Sequence, residues 1–434
     1  PPLPPNACER RENWCEARDD KYLSFYDCDG DEQYDHACWW KDVPSSLFIV
    51  MLIQFCVGGS VLPFMSIWLQ EKGLSFASIG TIFSIASSTF LVFPFVWGMI
   101  SDRYVPIQKV FTFLNIMACL SLLFMQFQTT FGGLLLSFVL FYSFYHPTFT
   151  LINALSFHYL KDPQEQFGFL RAWGSIGWMV PSVIIFGWLF IHEGSSMQFV
   201  LYLGMAASLL TSCSTLLLPR IQKCGDEVNE QDKLDYWRCV RELFCNKDYM
   251  TLLGAFFLVS GSFSFVVYYG TPYLQSNGVP KAWIGPIQCI GVALEVALFP
   301  FLRYYIRRWG FVSSLVTGCV CLVLRHFLYY YFTNPWVLAL SYLLTGMVIV
   351  FFHIGLSILV NMIAGKSVRA TAQTLLVVFG SGMGPMLSNF VAGRLSENAD
   401  NSLRPIFGFG MLLALAALAL IVWRAPQLRR IRSD

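Results

Sequence analysis

Three charged side chains stand inside long apolar segments of this chain of 434 residues, namely Arg171, Glu295 and Arg325. A charged side chain at the centre of a lipid bilayer costs about 3 kcal/mol or more unless it has a partner or water, so each indicates a functional site. Glu295 is the only acidic residue within these segments. We expect it to pair with Arg325 and to exchange a proton or a solute contact when the pair breaks. A static pair that only holds two helices together is the alternative.

The stretch FGFLRAWGSIGW, residues 167–178, places polar and aromatic groups at helical intervals. Arg171, Ser175 and Trp178 are spaced i, i+4 and i+7, so one helical face carries all three. Gly174 and Gly177 leave room for a neighbouring helix to come close. The arginine could donate forked hydrogen bonds to hydroxyls or a carboxylate, and the indole could stack against a ring. This pattern predicts that the face carrying Arg171, Ser175 and Trp178 forms one wall of a solute-binding site.

Two further residues are weaker candidates for the same site. His353 lies at similar depth in the tenth apolar segment, and Tyr268 lies near the middle of the seventh. A single histidine on an apolar helix is often structural, and most tyrosines of this kind pack against other helices. Both are predicted solute contacts, with packing as the alternative.

The elements that position these residues are membrane helices. Hydrophobic residues make up 56% of the chain and charged residues 13%, whereas soluble domains have roughly 25% charged residues. Apolar runs long enough to cross a hydrocarbon layer of about 30 Å recur throughout. They predict an all-α membrane protein with twelve transmembrane helices, at residues 46–70, 77–100, 107–128, 130–158, 167–192, 196–218, 250–275, 282–306, 311–332, 335–363, 371–394 and 404–424.

The longest polar stretch between these segments has six segments before it and six after it, as in a duplicated transporter. We predict that this stretch is a cytoplasmic connector at 219–249. The rest of the chain then divides into an acidic tail with four cysteines at 1–45, a first half at 46–218, a second half at 250–424 and a basic tail at 425–434. The cysteine spacings fit no zinc site well, and no metal is predicted. Since Lys and Arg concentrate in the loops on one side, both termini are predicted to be cytoplasmic.

A charged loop follows the second predicted helix. Its residues Gly98, Asp102, Arg103 and Lys109 resemble the signature of the major facilitator superfamily, with a slightly longer gap before the last base. The glycine is expected to let two helices touch, and Asp102 to pair with bases or a helix N-terminus in one conformation only. The resemblance implies two six-helix halves and a conformational latch in this loop.

Residues 167–178 also resemble the fifth-helix motif of the lactose permease, nucleoside:proton symporter and phenylpropionate permease-like proteins. Further similarity around Glu295, Arg325 and residues 367–373 extends it over most of residues 46–424. The resemblance implies that Arg171, Ser175 and Trp178 contact the solute.

The chain departs from these relatives at positions that determine specificity. Asn153 stands where the lactose permease has a glutamate, and Val292 where nucleoside symporters have a glutamine. Both positions are implied to contact the solute. Val350 stands where both groups have a tenth-helix carboxylate, with His353 one turn further on. We expect Glu295 to bind the proton, assisted by Arg325, with His353 or no coupling as the alternatives.

These observations predict a monomeric, multi-pass transporter of the cell membrane, which carries a sugar, nucleoside or aromatic acid together with protons by alternating access. An uncoupled facilitator and a non-transporting receptor or scaffold are the alternatives. An enzyme is not expected, because the sequence shows no paired carboxylates, no HxxxH pattern and no Gly-rich phosphate loop. Neither a cofactor nor a nucleic acid partner is predicted.

Overall fold

The computed structural model describes residues 43–160, 163–219, 241, 243–364, 369–399 and 402–429. All regular structure in these ranges is helical. The first half contains α1 (Ser45–Val61), α2 (Met65–Glu71), α3 (Phe76–Ser88), α4 (Phe93–Arg103), α5 (Ile107–Gln126), α6 (Phe131–Phe157), α7 (Pro163–Ile191) and α8 (Phe199–Thr215). The second half contains α9 (Lys247–Ser276), α10 (Ile284–Tyr331), α11 (Pro335–Leu340), α12 (Tyr342–Met347), α13 (Gly355–Ile363), α14 (Arg369–Leu376), α15 (Gly384–Glu397) and α16 (Arg404–Leu428).

The predicted all-α membrane class is confirmed for the described residues. Ten of their helical segments are long and apolar enough to cross a membrane, and α8 is a shorter apolar helix. The long helix α10 covers two of the predicted segments, which meet at Gly310 with a φ of 83°. The exact count of twelve crossings and the sides of the two termini stay predictions. The acidic tail and most of the connector lie outside the described residues.

Two π-helical segments interrupt the second half. One, Val348–Ile354, joins α12 to α13, and the other, Val377–Met383, joins α14 to α15. A π-helical turn closes hydrogen bonds between residues five apart and so rotates the following side chains relative to an α-helix. Such segments are frequent at functional sites.

Small residues allow the helices that carry the site to approach closely. A Cβ added at Gly177 of α7 would lie 2.1 Å from the carbonyl oxygen of Leu52 in α1, and one at Gly59 would lie 2.4 Å from that of Trp178. The expected contact of Gly177 with a neighbouring helix is therefore confirmed. In the second half, a Cβ added at Gly346 would lie 2.3 Å from the carbonyl oxygen of Gly291. Glycine lets the backbones of these helix pairs touch.

The two halves pack tightly at one end, called here the packed end and formed where α3 meets α15 and α7 meets α10. A Cβ at Gly80 would lie 2.6 Å from the carbonyl oxygen of Asn389, and one at Gly285 would lie 2.6 Å from that of Ser182. At the same end, Thr271 donates a hydrogen bond of 2.9 Å to the carbonyl oxygen of Pro63.

An ion pair between Lys281 and Glu71 adds a further link between the halves at the packed end. The Glu71 carboxylate also accepts hydrogen bonds of 2.8 Å from the Ser196 hydroxyl and the backbone N–H of Met197. The Glu71 carboxylate thus accepts hydrogen bonds from three donors, which belong to two loops.

The loop of the predicted latch is described in part. The expected helix contact at Gly98 is not formed by the described residues in this conformation, because a Cβ added there would meet none of their atoms outside its own helix within 4 Å. Lys109 is exposed, and the side chains of Asp102 and Arg103 lie outside the described residues. The latch itself stays a prediction.

Candidate functional site

A cavity of about 470 Å³ lies between the two halves. This volume is typical of small-molecule sites. Its lining is mostly apolar and aromatic with a few polar groups, and consists of Phe55, Pro63, Phe149, Arg171, Ser175, Trp178, Phe263, Val266, Val267, Gln288, Gly291, Val292, Glu295, Tyr342, Thr345, Ile349 and Ser381. Four residues predicted to contact the solute, Arg171, Ser175, Trp178 and Val292, thus line one cavity together with Glu295.

A serine hydroxyl bridges the cation and the carboxylate of the cavity. Ser175 Oγ donates a hydrogen bond of 2.9 Å to Glu295 Oε1, which joins α7 of the first half to α10 of the second. Arg171 Nη1 lies 3.5 Å from the same Ser175 Oγ. Glu295 is buried, at 5% exposure. Opposite charges thus face each other across a hydroxyl, and a solute can replace either contact.

The neighbours of Arg171 and Trp178 fix their positions. The Arg171 guanidinium lies over the ring of Phe55, with 4.2 Å between the guanidinium carbon and the ring centroid. Gly174 leaves room for this contact, because a Cβ there would lie 2.9 Å from Phe55 and 3.0 Å from Arg171 Nη1. The indole of Trp178 fits against Gly58, where a Cβ would lie 2.7 Å from the ring. The cation and the indole are therefore held in place before a solute binds.

The predicted ion pair between Glu295 and Arg325 is wrong in this conformation. Arg325 is fully buried and donates a hydrogen bond of 2.6 Å from Nη1 to the carbonyl oxygen of Ser341. Its guanidinium also lies 4.0 Å from the ring centroid of Tyr342. A carbonyl oxygen and the face of an aromatic ring compensate much of the positive charge of the guanidinium without a carboxylate. Since Tyr342 lines the cavity, Arg325 is one side chain away from it.

Three other predicted residues are absent from the cavity lining. Asn153 is half-buried one turn beyond Phe149 on α6, with Oδ1 lacking a hydrogen-bond partner among the described residues. Tyr268 belongs to the interface between the halves, where its ring stacks on Phe83 at 4.3 Å and its carbonyl oxygen accepts a hydrogen bond from Ser66.

His353 lies in the first π-helical segment, in a group of aromatic rings. Its ring centroid is 5.4 Å from that of Phe256 and 5.3 Å from that of Phe263. Its Nε2 is buried without a hydrogen-bond partner among the described residues. His353 thus contacts Phe263, which lines the cavity, without lining the cavity itself.

Sequence reasoning missed three polar lining residues, namely Gln288, Thr345 and Ser381. Gln288 precedes Glu295 by seven residues, so the periodicity of α10 could have placed both on one face. Thr345 had no comparable signal, because its position depends on the close crossing of Gly291 and Gly346. The rings of Phe55, Phe149 and Phe263 were likewise not distinguished from the many other aromatic residues.

Comparison with known proteins identifies the family. The model of the MFS_1 like family matches residues 45–407. The chain belongs to this family. The predicted membership of the major facilitator superfamily is thereby confirmed, and the cavity between the halves is the candidate site of an MFS_1 like protein.

Several curated proteins resemble this family member over most of their length. The nucleoside permease NupG of Escherichia coli (strain K12) is 27% identical over 410 residues, which cover 87% of this chain and 96% of NupG. The probable 3-phenylpropionic acid transporter of the same organism is 26% identical over 271 residues, covering 62% of this chain and 69% of that protein. The crystal structure of NupG superposes with a TM-score of 0.71 at 23% identity, covering 86% of this chain and 98% of NupG. That superposition agrees with the observed fold.

Proposed function

We propose that this protein is a secondary transporter that moves a small organic solute together with a proton by alternating access. The observation that supports this most is the Ser175–Glu295 hydrogen bond of 2.9 Å, which joins the two halves inside the cavity. A carboxyl group at this position changes its contact with the other half when it gains or loses a proton. Solute binding and the relative position of the halves then depend on the same group.

The solute site is formed by Arg171, Ser175 and Trp178 from the first half and Glu295 from the second. Arginine donates to hydroxyl or carboxylate oxygens, and the indole offers a flat face to a ring. Nucleosides are the first class to test because NupG, a nucleoside permease, is 27% identical. Aromatic acids and sugars follow, since relatives are named as a probable 3-phenylpropionic acid transporter and a sucrose permease.

An uncoupled facilitator is the second candidate, and Val350 favours it. The resemblance places a proton-coupling carboxylate at this position, and a buried valine stands there. In a facilitator, Glu295 would bind only the solute, and a pH gradient would not drive accumulation.

Uptake into proteoliposomes tests the proposal. The purified protein should accumulate the solute above its external concentration when an inward proton gradient is imposed. Glu295→Gln should keep solute exchange but lose this accumulation, because the amide holds a hydrogen bond but cannot exchange the proton. Glu397→Gln is the matched control, since Glu397 is an exposed residue paired with Arg394. Accumulation by Glu295→Gln equal to that of the unmodified protein would contradict the coupling role.

A further inference from the structure

The packed end buries an amide side chain that has no hydrogen-bond partner in the described part of the chain. Asn389 of α15 is 0% exposed, and neither its Oδ1 nor its Nδ2 forms a hydrogen bond with a described residue. A primary amide carries two N–H donors and one acceptor oxygen, which bond to water when the side chain is exposed. Burial of this amide therefore raises the free energy of the conformation in which it is buried.

Asn389 lies where the backbones of the two halves touch. A Cβ added at Gly80 of α3 would lie 2.6 Å from the Asn389 carbonyl oxygen. A Cβ added at Gly393 would lie 3.0 Å from the carbonyl oxygen of Ala77, also in α3. Gly393 follows Asn389 by one helical turn, so both residues belong to the side of α15 that meets α3. When the halves separate at this end, α3 moves away and water can reach the amide.

Tyr269 of α9 brings a second polar group to the same turn of α3. Its side chain is fully buried, and its ring centroid lies 6.4 Å from that of Phe76, one turn before Gly80. The Tyr269 hydroxyl also lacks a hydrogen-bond partner among the described residues. Two helices of the second half thus each place an unpaired polar group beside one turn of the first half.

Other contacts at the packed end favour closure. The hydroxyls of Thr271 and Ser66 donate hydrogen bonds to carbonyl oxygens of the opposite half, and Lys281 pairs with Glu71. A transporter must leave the closed conformation as well as enter it, so these contacts must not make closure much more stable than opening. Unpaired polar groups that are buried only on closure act in the opposite direction to these contacts.

We propose that Asn389 and Tyr269 set the conformational equilibrium, because they destabilise the closed packed end and keep its open conformation populated. The proposal rests on the proposed transport function, since it requires that the packed end opens. Neither residue lines the cavity, so the effect requires no contact with the solute. Replacing either polar group by an apolar group of similar shape should therefore stabilise closure.

The reactivity of a reporter cysteine in the cavity, Val292→Cys, tests this role in proteoliposomes. A membrane-impermeant thiol reagent is supplied from the side of the packed end or from the opposite side, and the reaction of the same protein with Val292 is subtracted. Asn389→Leu should lower the rate from the packed-end side about tenfold, which corresponds to about 1.4 kcal/mol in favour of closure. Tyr269→Phe removes only a hydroxyl and should lower this rate about fivefold. Both variants should raise the rate from the opposite side.

Asn389→Asp and Asn115→Leu are the matched controls. Aspartate has almost the shape of asparagine, but its carboxylate is more costly to bury, so Asn389→Asp should raise the rate from the packed-end side. Asn115 is also fully buried, and its Oδ1 has no partner among the described residues, but it lies on α5, which packs against α6 and α8 of its own half. Asn115→Leu should leave both rates unchanged, because separation of the halves does not uncover this residue.

Three results would overturn the role of Asn389 and Tyr269. Unchanged rates in Asn389→Leu and Tyr269→Phe would show that the two groups do not affect closure. Changes of the same sign in Asn389→Leu and Asn389→Asp would show that only packing at this position matters. Faster reaction from both sides would indicate a loosened interface. If Asn389→Leu does not fold, Tyr269→Phe decides the question, since it leaves the ring in place.

Failure of the proposed transport function has a different signature. A protein that does not alternate would leave the cysteine at position 292 unreactive from the packed-end side in every variant, and would take up none of the nucleosides, sugars or aromatic acids. Solute uptake by the unmodified protein together with unchanged rates in Asn389→Leu and Tyr269→Phe would overturn the role of these two residues alone.

Discussion

Replacing Ser175 by alanine removes the group that separates the cation and the carboxylate of the cavity. In the structure, Ser175 Oγ donates a hydrogen bond of 2.9 Å to Glu295 Oε1 and lies 3.5 Å from Arg171 Nη1. Without the hydroxyl, a Glu295 side chain that is only 5% exposed loses that hydrogen bond. The carboxylate should then turn toward Arg171, and a solute must break this new contact before it binds.

The size of the effect follows from the new contact between Arg171 and Glu295, which is a hydrogen bond between charged groups that the solute must break. A hydrogen bond to a charged group contributes about 1.5–3 kcal/mol, and each 1.4 kcal/mol corresponds to a factor of about ten in affinity. Ser175→Ala should therefore raise the Kd for the transported solute about 10- to 100-fold. Ser175→Thr retains the hydroxyl and should stay within about threefold.

Isothermal titration calorimetry on the detergent-solubilised protein measures these Kd values. Ser137→Ala is the matched control, because Ser137 is fully buried and donates only to the Leu134 carbonyl oxygen of its own helix at 2.8 Å. It should bind the solute as the unmodified protein does. A Kd for Ser175→Ala within about twofold of the unmodified value would refute the bridging role. Equal losses in the alanine and threonine variants would point to packing at this position rather than to the hydroxyl.

Two predictions concern the packed end. Gly80→Val should hinder closure of the packed end, because an added Cβ would lie 2.6 Å from the Asn389 carbonyl oxygen. A cysteine introduced at position 292 should then react faster with a thiol reagent supplied from that side. Gly187→Ala is the control and should not change the reaction rate, because a Cβ at Gly187 meets nothing within 4 Å among the described residues. Glu71→Gln should increase the rate of the same thiol reaction about fivefold, because weakening the contacts of the Glu71 carboxylate costs about 1 kcal/mol. An unchanged rate would mean that the ion pair with Lys281 contributes nothing to closure.

The first-half wall of the site could be predicted from the sequence because one helix carries it. Arg171, Ser175 and Trp178 are separated by whole turns of α7, and helical periodicity alone places them on one face. Gly177 could be predicted to contact a neighbour for the same local reason. Nothing in that inference required knowledge of which helix the neighbour is.

Contacts between helices could not be predicted in this way. Glu295 and Arg325 were expected to pair because they are the opposite charges of one half, but charge does not determine which way a side chain points from its helix. Arg325 contacts the Ser341 carbonyl oxygen and the Tyr342 ring, while Glu295 accepts a hydrogen bond from Ser175 of the other half. The partner of a buried charge depends on how the helices cross.

His353 illustrates a local feature that the sequence does not reveal. A regular α-helix was assumed when its depth and direction were inferred. The segment Val348–Ile354 is π-helical, and its wider turn changes the direction of its side chains relative to those of an α-helix. His353 consequently contacts Phe256 and Phe263, and Phe263 takes the place at the cavity wall.

The position of Ser175 suggests why solute and proton would cross the membrane together. An ionised Glu295 would accept the Ser175 hydrogen bond and balance the charge of Arg171. A proton on Glu295 alone would leave Arg171 without a counter-charge in an apolar site, which is costly. A solute oxygen at Arg171 offsets that cost by hydrogen bonding to the guanidinium. Protonation and solute binding then favour each other, and linkage requires the effect to be reciprocal: a lower pH should tighten solute binding by the same factor as the solute tightens proton binding.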